Sequence, residues 1–255
     1  MMGGNDQQAY DRGTSLFSPD GRIYQVEYAR EAVSRGAPSV GVRTTDGVVF
    51  VAMSRASSTL MEAESIEKLH KLDDHLGTAS AGHVADARQL IDLARRQSQG
   101  NRLRYGEPVG VETLTKFITD HIQENTQRGG TRPYGAALLI GGIDDGEPRL
   151  FAADPSGTPN EWKATVIGGG RQDIQGHLEE EWTDDLSLDD GVELAIAALA
   201  EHDDEFEPAD LAVATVTEAD GYRTVPVDEV TTAFEAAGVG ADDEDAADDE
   251  SDDEE

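Results

Sequence analysis

The chain has 255 residues, 20 basic and 53 acidic, so its formal charge is −33 with histidine neutral. A phosphate-binding footprint needs clustered cations, so this balance excludes a general nucleic-acid or anionic-membrane binder. Hydrophobic residues at 37% together with 27 glycines supply an ordinary core, and the lack of cysteine removes disulfide scaffolds, thiolate zinc sites and cysteine nucleophiles.

The opening MMGGNDQQAYDRG has neither the basic start nor the apolar run of a secretory signal. The longest apolar stretches, residues 48–53 and 194–200, fall far short of the roughly 18 residues that suggest a membrane span. A soluble, cytoplasmic protein is expected. Next, GRIYQVEYAREAVSRG spaces Ile23, Val26, Ala29 or Arg30, and Val33 along one helix face, with Gly21 before it and Gly36 after. SVGVRTTDGVVFVAM alternates apolar residues on either side of Thr45, Asp46 and Gly47, as a β-hairpin does. A second strand pair is expected at 66–70 and 76–81. Two helices follow, one with Val84, Ala87, Ile91 and Ala94 on its apolar face, the other with Val111, Leu114, Ile118 and Ile122, joined through residues 100–110. YGAALLIGGI, RLFAADP and KATVIGG read as three strands, with turns at 144–146 and 155–159. Helices at 173–182 and 188–200, strands at 211–217 and 222–225, and a helix at 227–237 complete the order.

Helices that arrive in pairs between blocks of hairpins do not make single parallel crossovers. The order predicts an α+β, four-layer αββα sandwich: two antiparallel sheets face to face between helix layers. One domain is expected over residues 22–240, with a separate segment at 1–21. The tail at 241–255, ADDEDAADDESDDEE, has no apolar side chain larger than alanine, too little to offset its ordering entropy, and is expected to be disordered.

Charge is spread unevenly. Residues 1–120 hold 14 basic and 16 acidic groups, residues 121–240 hold 6 and 26, and residues 241–255 hold 0 and 11. The near-neutral first half suggests surfaces that meet other subunits. Only Lys68, Lys71, Lys116 and Lys163 are lysines. The acid excess suits a salt-adapted protein, because salt at 1 M screens carboxylate repulsion to within about 3 Å.

Motifs for independent chemistry are lacking. The six histidines are scattered without an HExxH pair. His121 and Glu124 share a helix face with the spacing of a surface pair, and no metal or other cofactor is expected. Gly168, Gly169 and Gly170 follow a strand and open a helix, yet Asp173 takes the third glycine's place in GxGxxG. No GxSxG elbow or Walker lysine motif occurs.

Five strings in order carry a more specific signal: YDRG at 10–13, FSPDGRIYQVEYA at 17–29, AGHVADAR at 81–88, GGTRPYG at 129–135 and DPSGTPNEWKA at 154–164. Together they resemble the α subunits of the 20S proteasome core particle, over residues 10–237, and the acid excess is similar to that of haloarchaeal members. The resemblance implies the same αββα fold, that of the N-terminal nucleophile hydrolases, and a seven-membered outer ring stacked on β-subunit rings. It implies no catalytic residue. Catalytic relatives use the amine and hydroxyl of an N-terminal threonine as base and nucleophile, whereas here the matching strand begins Gly36, Ala37, Pro38, Ser39. Lys68, near the lysine of the catalytic branch, has no nucleophile to serve.

The resemblance also implies where gating and docking residues lie. Tyr10, Asp11, Pro19 and Tyr28 match the cluster that holds the family's N-terminal plug open, and Arg12 supplies a charge partner for Asp11. Lys68 in ESIEKLH matches the lysine that pairs with the C-terminal carboxylate of an activating ATPase tail. Gly82 matches a residue lining that pocket, and Glu27 and Arg30 are its expected rim. The loop at 127–134, with Gly129, Gly130 and Arg132, resembles the one lining the inner pore. Arg128, where an aromatic is common, the run Ala56, Ser57 and Ser58 in place of more basic residues, and Met53 where an Asp is frequent suggest a variant isoform. The implied partners are other α subunits, β subunits, a proteasome-activating AAA ATPase and unfolded protein substrates, in ubiquitin-independent or tag-dependent degradation, with no nucleic acid and no membrane. The rival readings are a catalytic N-terminal nucleophile hydrolase and an acidic interaction protein unrelated to proteolysis.

Overall fold

YQVEYAREAVS forms helix α1 (Tyr24–Ser34), with Val26, Ala29 and Val33 buried; the apolar stripe passes through Ala29 and leaves Arg30 outside. SVGVR and GVVFVAM then form strands β1 (Ser39–Arg43) and β2 (Gly47–Met53), paired antiparallel. All seven residues of β2 are buried, because successive side chains of a strand enter opposite faces and here each face meets a core. Val49, Val51 and Met53 enter one core, Val48 and Phe50 another. A strand apolar on both faces belongs in the middle of a layered fold. The computed structural model that shows this describes residues 17–18, 21–56, 58–62, 65–128, 130–203 and 205–239.

The chain continues through β3 (Leu69–Asp73), β4 (Leu76–Gly82), helices α2 (Val84–Tyr105) and α3 (Val111–Gln127), and strands β5 (Ala136–Asp144), β6 (Glu147–Ala153), β7 (Pro159–Glu161) and β8 (Ala164–Ile167). Helices α4 (Arg171–Glu181) and α5 (Leu188–Ala200), a short 3₁₀ turn at Pro208–Asp210, strands β9 (Leu211–Thr217) and β10 (Gly221–Thr224), and helix α6 (Val227–Ala236) complete it. One sheet runs β10-β9-β2-β1-β8 and the other β3-β4-β5-β6-β7. Every pairing is antiparallel.

Three apolar clusters account for the layering. Phe50, Val48, Leu139, Leu150 and Val216 fill the space between the sheets. Leu90, Ile91, Leu114, Ile118 and Ile122 of α2 and α3 cover one outer face; Ile174, Leu178, Ile196, Leu199, Val230 and Phe234 of α4, α5 and α6 cover the other. The four-layer αββα expectation holds. Among the described residues no helix is long and apolar enough to cross a membrane.

The structure corrects several boundaries. Helix α2 runs through Gly100 to Tyr105 and stops at Gly106, whose left-handed φ of 75° lets its N–H reach the Arg102 carbonyl. The break expected from residue 100 therefore begins six residues later, since one glycine costs a helix only about 1 kcal/mol relative to alanine. Val84 is 67% exposed at the first position of α2, and Leu90 joins Ala87, Ile91 and Ala94 on the buried face instead. Strand β3 begins at Leu69 rather than 66. Strand β7 was not expected, because its three residues are polar or proline. It is an edge strand with Pro159 at its first position, where a missing N–H breaks no ladder.

Phe50 has no exposed surface and lies between the sheets, so Phe50→Ala should cost about 3–5 kcal/mol from lost burial plus a cavity. Ser187 caps α5 through a reciprocal box with Asp190, and Ser187→Ala should cost about 1 kcal/mol. Denaturant unfolding in molar salt checks both. Equal effects would contradict the placement of the inter-sheet core.

Candidate functional site

Lys68 immediately precedes β3, and its backbone is fixed before its side chain is considered: the Ser80 N–H of β4 donates to the Lys68 carbonyl at 3.0 Å. From that anchor the half-buried side chain reaches back to the residues before β1, where Nζ donates to the Ala37 carbonyl at 2.6 Å. No carboxylate pairs with it among the described residues. Burial without a counter-charge disfavours the ammonium and pushes its pKa down to about 8. The result is a point charge with one neutral acceptor and free donor capacity. Ala37 is joined to Gly36 by an ordinary peptide bond, so the lysine faces a carbonyl and not the free amine and hydroxyl of a nucleophilic residue.

Three backbone segments meet beside it. A Cβ on Gly36, just past α1, would lie 2.6 Å from the Gly82 nitrogen, and one on Gly82 would lie 2.4 Å from the Gly135 carbonyl oxygen. Gly82 also has φ of 95°, a conformation that side chains rarely adopt. The His83 N–H closes the junction by donating to the Gly135 carbonyl at 2.7 Å. Gly36 and Gly82 thus meet through contacts that only glycine permits.

The 130–135 loop is tied to the same junction. Arg132 makes a two-pronged pair with Asp86, Nη1 to Oδ2 at 2.5 Å and Nη2 to Oδ1 at 2.8 Å. The Gly135 N–H donates to Asp86 Oδ2 at 2.8 Å. Burial alone would push the Asp86 carboxyl up, but these donors together hold it below the usual carboxylate range. At the other side, Tyr134 Oη bonds His121 Nε2 at 3.1 Å, and Thr131 Oγ1 donates to the Asn125 and Arg128 carbonyls at 2.6 and 2.7 Å. His121 therefore serves the loop, and among the described residues it makes no hydrogen bond or ion pair with Glu124. Asp86 escaped sequence reasoning, although its position next to Ala87 on the apolar stripe of α2 was a signal: a carboxylate there must find partners.

The remaining expected residues fall elsewhere. Glu27 and Arg30 pair with each other at 2.9 Å, and Arg30 also reaches Asp154 at 2.9 Å; neither bonds Lys68. Arg30 and Asp154 line a cleft of about 340 Å³ with Val33, Trp162 and Ile167. Tyr28 is 47% exposed on α1. Gly130 and Arg132 belong to the loop just described. Tyr10, Asp11, Arg12, Pro19 and Gly129 lie outside the described residues, as does the tail at 241–255.

Known proteins resemble this chain along nearly its whole length. The family profile described as "Proteasome subunit" matches residues 33–216, and the profile for the N-terminal signature of A-type proteasome subunits matches residues 10–32. The chain is 66% identical to the proteasome alpha 2 subunit of Haloferax volcanii, over 95% of this chain and 96% of that one. It is 62% identical to the proteasome alpha 1 subunit of Haloarcula marismortui, over 100% and 98% of the two chains. The proteasome alpha subunit of Natronomonas pharaonis is 57% identical, over 98% and 99%.

The electrostatics of Lys68 can be read directly. Its Cε resonance, assigned by its loss in Lys68→Arg, should titrate with a midpoint near 8, the value to which burial lowers the ammonium. A midpoint above about 10, the ordinary range for lysine, would mean that the side chain is solvated.

Proposed function

This chain belongs to the proteasome subunit family as a non-catalytic α-type member, and on that premise we propose that its Lys68 groove receives the C-terminal carboxylate of an activating ATPase. The observation that carries the reading is the lysine itself, half-buried, held by one backbone carbonyl and without a paired carboxylate among the described residues. A compact ammonium with unused donors suits carboxylate capture. In this reading the chain forms a seven-membered outer ring with other α subunits, on rings of β subunits that carry the catalysis. The segment at 1–21 plugs the axial pore, Tyr10, Asp11, Arg12, Pro19 and Tyr28 hold it open on docking, and unfolded proteins pass the 127–134 loop into the chamber. A cytoplasmic location suits that role.

Assembly is supported by where the cations lie. Helix α2 carries five arginines against two aspartates, a net of +3 in a chain of −33. Arg88 and Arg96 are exposed on it with no hydrogen bond or ion pair among the described residues. Guanidinium groups left unpaired in so acidic a protein suit contact with a carboxylate-rich neighbouring subunit.

A charge-assisted pair at Lys68 contributes about 1.5–3 kcal/mol, or roughly one to two factors of ten in affinity per site. Lys68→Ala particles should therefore lose ATPase-stimulated degradation, with the ring still assembled by size exclusion. Lys71→Ala, whose side chain pairs with Asp74 at 2.6 Å, should keep it. The ammonium is present below its pKa, so stimulation of the native particle should decline as pH rises through about 8. Deleting residues 1–12 should raise peptide hydrolysis without any ATPase. Normal stimulation of Lys68→Ala would sink the docking reading, and equal rates for truncated and intact particles would sink the gate.

A further inference from the structure

Asp86 is 3% exposed, whereas the Arg132 side chain it binds is 62% exposed. The buried carboxylate is thus the fixed member of the pair and the arginine is the member that the loop brings to it. A carboxylate in that position is costly unless its lone pairs are satisfied. The satisfying donors come from one place: two from Arg132 and one from Gly135. The other side of Gly135 is held by the His83 N–H, one residue beyond Gly82. Residues 132–135 are therefore gripped between the first turn of α2 and the residue that follows β4, the same strand whose Ser80 holds the Lys68 carbonyl.

We propose that Asp86 is a positioning residue that sets the 130–135 loop in register with the docking groove, and so sets where the loop stands in the path of an unfolded substrate. The loop's place in that path rests on the pore reading above, whereas its anchoring stands on the hydrogen bonds alone. Arg132 has one further acceptor, the carbonyl of its neighbour Pro133 at 3.0 Å, which lies within the loop and cannot anchor it. Arg132 and Gly135 thus depend on Asp86 for their attachment to α2, Thr131 and Tyr134 being tied instead to the end of α3, while β5, starting at Ala136, is held independently by its ladders to β4 and β6.

The test uses particles assembled with β subunits. Asp86→Asn keeps the shape and an acceptor for the Gly135 N–H but loses the charge that Arg132 grips with both prongs. Arg132→Lys keeps the charge but not the planar fork, and because that side chain is largely exposed it decides the matter alone if Asp86→Asn fails to fold. Two readouts are taken: hydrogen exchange of the loop amides at 130–132, 134 and 135 against those of β5, and the rate for an unfolded casein divided by the rate for a short fluorogenic peptide. Loss of the charge-assisted grip should raise exchange at the Arg132, Tyr134 and Gly135 amides by about tenfold or more, leave β5 unchanged, and lower the casein-to-peptide ratio. Unchanged exchange in the loop would overturn the proposal, as would a uniform rise through α2 and β5, which marks a merely structural pair. A local rise with an unchanged ratio would uphold Asp86 as the loop's anchor and overturn the pore reading.

Discussion

Gly36 and Gly82 bring three pieces of backbone closer than a side chain allows, with ideal Cβ positions 2.6 Å from the Gly82 nitrogen and 2.4 Å from the Gly135 carbonyl oxygen. The end of α1, the end of β4 and the start of β5 meet there, so the approach determines where α1 sits over the sandwich and where the 130–135 loop begins. Lys68 is held to the same neighbourhood through Ser80 and Ala37. A larger residue at Gly82 would have to displace backbone and adopt a φ of 95°. The surroundings of Lys68, helix α1 and the 130–135 loop thus share one close-packed junction.

The αββα architecture was legible because its signals are periodic and strong. Residues 48–53 are apolar on both faces, which marks a strand between two cores, and the paired amphipathic helices that became α2 and α3 leave no room for single crossovers. What escaped was governed by local exceptions. Gly100 looked like a boundary, yet the stop came at Gly106, where a positive φ closes the helix. Pro159 hid β7, since an edge strand's first residue tolerates proline that a central strand would not. In the site, Lys68 and Gly82 were visible through the strings ESIEKLH and AGHVADAR, whereas the Asp86–Arg132 pair joins positions 46 apart, a separation that periodicity cannot reach.

The charge distribution has a structural counterpart. The layer of α2 and α3 includes the cation-rich α2, while α4 and α5 on the opposite layer carry Asp173, Glu179, Glu180, Glu181, Asp189, Asp190 and Glu193. Desolvation, reinforced by Asp190 and Asp189, raises the Glu193 carboxyl, a local sign of the repulsion stored in that layer. Salt at 1 M shortens the screening length to about 3 Å, so distant carboxylates stop opposing one another. Contact pairs such as Arg132 with Asp86 lie within that length and keep their geometry. Molar salt therefore relaxes the acidic layer without loosening the loop's anchor.

The central claim is that the chain organises access to proteolysis that another subunit performs. Its most direct test is to purify the chain in molar salt, measure peptide hydrolysis alone, then add β subunits and measure the assembled particle resolved by size exclusion. The account predicts no hydrolysis by the chain alone and activity that appears only in the large assembly. Hydrolysis by the isolated chain, persisting through repurification and sensitive to blocking its α-amine, would contradict it.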